Sequence, residues 1–79
     1  MVYIVEIEHD EASFVILISS LKTGLRKELE RYEYNIEDND DDQPYHYMIE
    51  QPYQYYLQKY LQYDELINLF KKYGYKVVE

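Results

Sequence analysis

The chain of 79 residues has no cysteine, only two glycines and only two prolines. Without cysteine, neither a disulfide framework nor a thiolate zinc site can stabilise the fold. Two glycines are too few for a glycine-rich phosphate-binding loop, and no nucleophile motif is present. We therefore predict a protein that is not an enzyme and that uses neither a cofactor nor a metal ion.

Long apolar runs and positive charge are also scarce. The longest apolar run, residues 14–18, is far too short to span a membrane, and no signal peptide is visible. Sixteen acidic residues stand against eight basic ones, which gives a net charge of −8. Because phosphate backbones and anionic lipids repel such a chain, we expect no direct binding to nucleic acid or membrane. We expect a cytoplasmic protein, located in the host cytoplasm if its source is viral.

Tyrosine, by contrast, is abundant, with twelve copies. A chain of this length forms one domain, residues 1–79, near the size at which a single core is only marginally sufficient. Each tyrosine buries a large ring and keeps a hydroxyl that needs water or a partner. Because so many rings exceed what a small core can bury, we expect a homodimer. It would be held through an open sheet face or through the tyrosine-rich stretch from Tyr53 to Tyr63.

The first third of the chain allows two interpretations. Residues 2–8 alternate between two faces, which predicts a β-strand. Asp10 then offers a helix N-cap, and apolar residues recur at three- and four-residue steps as far as Tyr32, which predicts one long helix. Residues 13–20 are rich in β-branched side chains, however, so a second strand followed by a shorter helix is the alternative.

The phrase Gln-Pro-Tyr-X-Tyr occurs twice in the middle of the chain. Residues 32–36 and 45–49 both alternate, which predicts a β-hairpin with Pro44 at the start of its second strand. The second copy predicts a helix with Pro52 in its first turn, because apolar residues then recur at helical steps. Residues 54–62 also alternate, so a strand is the alternative there.

Residues 64–74 carry the clearest helix pattern of the chain. Leu66, Ile67 and Phe70 fall on one side of this helix, and lysines occupy its last turn. Gly74 is a natural C-cap. The last five residues predict a closing strand.

In order, these elements are β-α-β-β-α-β, which predicts a ferredoxin-like α+β sandwich: a four-stranded antiparallel sheet with two helices on one face. The alternative is a five-stranded variant in which residues 14–19 pair with the first strand. Alternation predicts that the helix-facing side contains Tyr3, Val5, Ile7, Tyr34, Ile36, Tyr47, Ile49 and Val77. The predicted open face contains Val2, Ile4, His46, Met48 and Val78. An exposed, partly apolar face is typical of a partner surface.

Residues 37–42, Glu-Asp-Asn-Asp-Asp-Asp, are the most distinctive local feature of the sequence. Five carboxylates at a hairpin tip repel each other, which favours a role in solubility or the recognition of a cationic partner. We predict a binding site for a basic protein surface, in which the acids steer the encounter and nearby tyrosines act as apolar anchors. The predicted site comprises Glu37, Asp38, Asp40, Asp41, Asp42, Tyr45 and Tyr47.

Two metal-binding interpretations are weaker. Glu6, Glu8 and His9 could hold a divalent cation in a metal-dependent enzyme, but no second ligand cluster with suitable spacing follows, and a polar turn explains them. The alternating aspartates of the acidic run lack the glycine and the bidentate glutamate of a calcium loop.

In size, acidity and lack of catalytic motifs, the chain is similar to a known group of proteins. Along its whole length the chain resembles the small acidic virus-encoded inhibitors of nucleic-acid machinery, the anti-CRISPR and anti-restriction proteins, some of which imitate DNA. The resemblance rests on size and charge balance, and it implies a non-enzymatic inhibitor of a basic, nucleic-acid-binding effector.

Charge density limits the kind of inhibitor that this resemblance implies. Duplex DNA carries one charge per about 1.7 Å, so a domain roughly 30 Å across would need roughly eighteen charges to imitate it. Eight bases offset the sixteen acids, so a local acidic plug fits better than a whole-duplex mimic. The alternative is a small structural or regulatory homodimer whose acidic loop only confers solubility.

Overall fold

The computed structural model describes residues 2–38, 44–53 and 60–79. The elements are β1 Ile4–His9, β2 Ser13–Ile18, α1 Thr23–Arg31, β3 Glu37–Asp38, β4 Tyr47–Pro52, α2 Tyr63–Lys72 and β5 Lys76–Val78. The strands form one sheet in the order β3-β4-β2-β1-β5, in which only β1 and β5 are parallel. The α+β class is therefore confirmed. The predicted four-stranded antiparallel sheet is wrong, and the five-stranded alternative is correct.

The segment from Ser13 to Ile18 is a strand and not the first half of a helix. β2 lies between β1 and β4, and Phe14, Ile16 and Ile18 are buried in strict alternation. β-branched side chains lose rotamer freedom in a helix but pack well on a pleated sheet. The apolar residues fit both periods, so propensity only favours the strand, and pairing with β1 on one side and β4 on the other selects it. The prediction of one long helix is wrong.

Asp10, predicted as a helix N-cap, instead stabilises the turn between β1 and β2. Its Oδ1 accepts a hydrogen bond from the N–H of Glu11 at 2.8 Å, and its own N–H donates to the carbonyl of Ser13 at 2.9 Å. Aspartate bonds to nearby backbone groups in turns as readily as at helix ends. The residue type therefore indicated a hydrogen bond to the nearby backbone. This bond forms in a turn and not at a helix N-terminus, because the residues that follow form a strand.

Both helices pack on the same face of the sheet, which we call the covered face. α1 contributes Leu25 and Leu29, and α2 contributes Leu66, Ile67 and Phe70, as predicted for α2. The buried core consists of Val5, Ile7, Phe14, Ile16, Ile18, Leu25, Leu29, Tyr34, Ile49, Leu66, Ile67, Phe70 and Tyr75. Every strand residue in this core is on the covered face by strand register.

The ends of α2 follow from local chemistry. The N–H of Gln62 donates to Oε1 of Glu65 at 3.4 Å, which satisfies a backbone donor at the N-terminus. Gly74 follows the helix with φ +88°, in the left-handed region that glycine enters without a steric penalty. Tyr73 is the C-cap, so Gly74 lies one residue beyond the position predicted for it.

The predicted central hairpin exists, but its first strand is short and shifted. β3 pairs with β4 through Glu37 opposite Met48 and Asp38 opposite Tyr47. Residues 32–36, predicted as this strand, instead leave α1 through a turn that contains Glu33 at φ 62°. The first two acids of the acidic run are therefore part of the sheet.

The second copy of the Gln-Pro-Tyr-X-Tyr sequence begins with Gln51 and Pro52, which end a strand and do not begin a helix. Pro52 is the last residue of β4 and lies opposite Ser13 of β2, so its predicted place in a first helical turn is wrong. Proline is tolerated at the end of a strand, and the next N–H, that of Tyr53, donates to the carbonyl of Ala12 at 2.9 Å. The helix or strand predicted between residues 53 and 62 falls largely on residues 54–59, which are outside the described residues.

Gln51, just before Pro52, is the one polar residue among the buried side chains described. Its Oε1 accepts a hydrogen bond from the hydroxyl of Tyr34 at 2.6 Å, and its Nε2 donates to the carbonyl of Leu61 at 2.7 Å. The N–H of Leu61 donates back to the oxygen of Tyr34 at 2.9 Å. This closed network satisfies the buried amide and ties three separate segments together.

Candidate partner-binding site

The second face of the sheet, which we call the open face, is covered by neither helix. Strand register arranges its side chains in rows that cross the strands. One row consists of Val78, Glu6, Leu17, Met48 and Glu37, in order from β5 to β3. Apolar residues therefore occupy the middle of the row, with one carboxylate on each side of them.

The next row repeats this arrangement with Glu8, Val15 and Glu50. Val15, Leu17 and Met48 together form what we call the apolar strip, and all three are half-buried. Glu6 and Glu8 flank the strip on β1, and Glu37 and Glu50 flank it on β3 and β4. An apolar centre between two acidic borders is a surface suited to a partner with the opposite charge pattern.

The predicted composition of the open face is only partly correct. Ile4, Met48 and Val78 lie on it as predicted. Val2 and His46 are exposed but precede the strands β1 and β4. The flanking positions of Glu37 and Glu50 could not be found from the sequence, because they depend on strand register. Lys76, opposite Ile4, adds a base to this face.

Tyr45 lies against the open face near Glu6. Burial, together with the negative charge of Glu6 and a hydrogen bond to it, raises the pKa of the Tyr45 hydroxyl. Tyr45 precedes β4, and Glu6 belongs to β1 with its side chain on the open face. The Tyr45 hydroxyl therefore lies on the open-face side of the sheet.

Tyr47, predicted as the second anchor, lies on the opposite face. It is opposite Ile18 in the strand register, packs against the core and is half-buried. The guanidinium of Arg26 lies 5.4 Å from the centre of its ring, within cation–π range. The structure therefore separates the two predicted anchors, and Tyr45 is the one that belongs to the open face.

The acidic run is only partly described. Glu37 and Asp38 are exposed residues of β3, and their alternation puts Glu37 on the open face and Asp38 on the covered side. Asp40, Asp41 and Asp42 are outside the described residues. Within the predicted site, the structure thus brings Glu37 and Tyr45 to the same face of the sheet.

His9, Phe14, Tyr53 and Tyr63 form a ring cluster at one end of the covered face. The ring centre of Phe14 lies 5.0 Å from that of Tyr63 and 5.6 Å from that of Tyr53. Nδ1 of His9 lies 2.5 Å from the Tyr53 hydroxyl, and Nε2 lies 3.4 Å from the Tyr63 hydroxyl. The Tyr63 hydroxyl in turn donates to the carboxylate of Glu79.

The direction of these hydrogen bonds follows from the donors available. With the Tyr63 proton on the Glu79 side, the neutral His9 tautomer that carries its proton on Nε2 donates to the Tyr63 oxygen and accepts from Tyr53 at Nδ1. Burial, then the hydrogen bond to Glu79 and the charge of that carboxylate, raise the pKa of Tyr63 well above its ordinary value. The polar groups of this cluster satisfy one another, so we interpret it as a structural tie between β1, β2, the residue after β4, the start of α2 and Glu79.

The metal site considered at Glu6, Glu8 and His9 does not converge. Strand alternation places both glutamates on the open face, whereas His9 is opposite Phe14 on the covered face. Across residues 2–38, 44–53 and 60–79, no group of three or more His, Asp or Glu side chains is arranged to hold a metal ion.

Two shallow grooves lie on the helix layer. One, of about 300 Å³, lies between α1 and α2 and is lined partly by Glu28, Glu65 and Lys72. The other, of about 330 Å³, lies beside the ring cluster and is lined partly by Tyr63 and Glu79. Both mix acidic and basic groups, and neither has the charge pattern of the open face.

Comparison with protein-family models, with curated proteins and with solved structures finds no significant match. Among the described residues, no helix is long and apolar enough to cross a membrane. A functional interpretation therefore depends on the surface chemistry of this chain.

Proposed function

We propose that this chain is a non-enzymatic acidic binding protein that inhibits a basic, nucleic-acid-binding protein by covering its cationic surface. The separation of charge between the two sides of the sheet carries this proposal. Seven bases occur in the described residues, and six of them belong to α1, α2 or the N-cap of α1, where they outnumber the four acids of the two helices. Among the described residues, the open face has four carboxylates and the single base Lys76.

The acidic run begins at this negative side. Glu37, its first residue, borders the apolar strip, and the three aspartates Asp40, Asp41 and Asp42 follow within five residues of it. Charges at the edge of an interface raise the association rate and set its salt dependence, whereas apolar groups at the centre hold the complex. Carboxylates and an apolar strip side by side supply both contributions.

The expected partner is a protein and not a nucleic acid, because the same negative charge repels phosphate backbones. A basic groove that normally binds nucleic acid is attracted to carboxylates for the same reason. Inhibition of the anti-CRISPR or anti-restriction kind is the activity that this chemistry would provide, and the acidic plug would compete directly with the nucleic acid.

The proposal can be tested by capture from extracts of the native host, followed by competition with nucleic acid. We expect the captured protein to bind nucleic acid and to lose it when the acidic chain is added, with binding that weakens as salt rises. The test variant changes Asp40, Asp41 and Asp42 to Asn. Its matched control removes three exposed acids elsewhere, by Glu11→Gln, Glu30→Gln and Asp64→Asn.

We expect the aspartate variant to bind several-fold more weakly with a shallower salt dependence, and the control to bind like the parent. Equal affinity and equal salt dependence in all three proteins would show that the acidic-plug mechanism is wrong.

A second candidate is a small structural or regulatory homodimer whose acidic loop only confers solubility. The observation that favours it is the apolar strip itself, which neither helix covers. Light scattering distinguishes the two functions: a dimer at micromolar concentration that persists in moderate salt supports the homodimer. A monomer across the same range supports the binding protein and overturns the homodimer predicted from the sequence; like charges on two copies of the open face would oppose a dimer through that face.

A further inference from the structure

We propose that the open face is the docking surface for an amphipathic basic α-helix of the partner protein. This inference rests on the proposed function and specifies the kind of partner surface that the chain recognises. The helix would lie along β2, with its apolar side on Val15, Leu17 and Met48 and with Lys or Arg side chains on both flanks.

The width of the open face fits a helix. Glu8 on β1 and Glu50 on β4 are two strands apart, which is about 9.6 Å at the usual strand spacing. Glu6 on β1 and Glu37 on β3 are three strands apart, or about 14 Å. A helix with its side chains is about 10–12 Å wide. Basic side chains on its two flanks would therefore lie above the two acidic borders.

The spacing along the strands also fits. Glu6 and Glu8 are two residues apart on the same face of β1, which is about 6.7 Å. Residues i and i+4 of a helix lie on one side of it and are about 6.0 Å apart along its axis. Val15 and Leu17 have the same two-residue spacing on β2. Basic residues at positions i and i+4 of the partner helix would thus lie opposite one acidic border. Apolar residues on the adjacent side of the same helix would contact the apolar strip.

Other occupants fit the charge pattern less well. An extended strand directs its side chains to two opposite sides, so it cannot place apolar and basic groups across the width of the face at once. A second copy of the open face would bring four more carboxylates against the first four. A helix presents an apolar stripe and two charged flanks together.

Tyr45 makes the four acids of the open face unequal. Its hydroxyl bonds to Glu6, which leaves that carboxylate less available to a partner. Glu8, Glu37 and Glu50 are exposed, whereas Glu6 is half-buried and already bonded to the tyrosine. The three exposed acids are therefore the ones that a partner helix would contact first.

The experiment uses a synthetic helical peptide with a leucine stripe flanked by lysines at i and i+4 spacing. Binding is measured by fluorescence anisotropy, and the contact surface is mapped by backbone amide shifts of the intact protein. A peptide of identical composition with its sequence scrambled removes the amphipathic pattern and keeps the charge. We expect the patterned peptide to bind at least tenfold more tightly, with shifts concentrated in β1, β2 and β4.

Two variants of the protein separate charge from apolar contact. Changing Glu8, Glu37 and Glu50 to Gln should weaken binding about tenfold, since exposed ion pairs each contribute modestly. Leu17→Asn should weaken the binding of the patterned peptide and leave the binding of the scrambled peptide unchanged. The control with Glu11→Gln, Glu30→Gln and Asp64→Asn loses the same charge and should differ less than twofold from the parent. Amide spectra of each variant verify that it is folded.

Each remaining outcome is decisive. Equal binding of both peptides, or shifts on the helix layer, would overturn the docking of a patterned helix. If the peptide fails but the captured host protein still depends on Asp40, Asp41 and Asp42, the helix inference is wrong and the proposed function stands. If neither set of acids affects any binding, both are wrong.

Discussion

Within β2, Phe14, Ile16 and Ile18 are buried beneath the helices, whereas Val15 and Leu17, which alternate with them, lie half-buried on the open face. The five residues are all apolar and belong to one strand. Their different exposure therefore results from what lies over each face of the sheet and not from their composition. The same alternation sorts the charges, because acidic residues of β1, β3 and β4 border the apolar positions of the open face.

This comparison indicates a division of roles. The covered face has its apolar surface already buried, so its residues determine stability. The open face keeps an apolar strip next to carboxylates, which contributes less to folding and more to recognition. Substitutions on the covered face should therefore mainly lower stability, whereas substitutions at neighbouring positions on the open face should mainly affect binding.

The largest expected effect comes from adjacent residues of β2. Ile16→Ala removes a fully buried side chain and should lower the free energy of unfolding by about 3–4 kcal/mol. Leu17→Ala, on the half-buried open face, should lower it by only about 1 kcal/mol. Urea unfolding at several protein concentrations measures both values. Similar losses for the two variants would mean that the open face is buried in solution.

A second pair compares Gln51 with its neighbour Glu50. Gln51→Ala leaves the hydroxyl of Tyr34 and the backbone of Leu61 without their buried partner, and should lower the free energy of unfolding by about 2 kcal/mol. Glu50→Ala changes an exposed residue and should stay within about 0.5 kcal/mol of the parent. A small effect of Gln51→Ala would indicate that water replaces the amide, and the network would then lose its structural role.

A smaller effect is expected from the charges of the open face. Glu8 and Glu50 lie about 9.6 Å apart across the strip, within one screening length in 0.1 M salt. Changing both to Gln should raise the free energy of unfolding by about 0.3 kcal/mol in low salt, and the gain should vanish in 1 M salt. Glu11→Gln with Glu30→Gln is the matched control. A loss of stability in the test variant would contradict the idea that these acids are kept for binding.

The smallest effect concerns Tyr63 and alkaline pH. The pKa of Tyr63 is higher in the folded protein than its ordinary value of 10.0, because of burial and the carboxylate of Glu79. This contribution to stability is fully present below pH 10 and is lost as the pH rises above it. Tyr63→Phe should therefore flatten the decline in thermal stability above pH 10. Tyr32→Phe, at an exposed tyrosine, should leave that decline unchanged.

If Tyr63→Phe follows the same alkaline decline as the parent, the hydrogen bond to Glu79 does not persist in solution. The ring cluster would then depend on packing against Phe14 alone.

The sequence by itself determined the elements whose hydrophobic period admits a single interpretation. Alternation predicted β1, and the apolar stripe with Gly74 predicted α2 and its end. Ile4, Met48 and Val78 could be assigned to the open face for the same reason. These features depend on residues close together in the chain, so local propensity and spacing are sufficient to predict them.

Tertiary structure decided the rest, because it depends on contacts between distant segments. β2 fits a helix and a strand equally by pattern, and its place between β1 and β4 selected the strand. The two acidic borders of the apolar strip arise from the register of four strands, which no local pattern encodes. The ring cluster likewise joins His9 to Tyr53 and Tyr63 across 44 and 54 residues. Residue types thus indicated which side chains could bind a partner, and pairing between strands determined which of them share a surface.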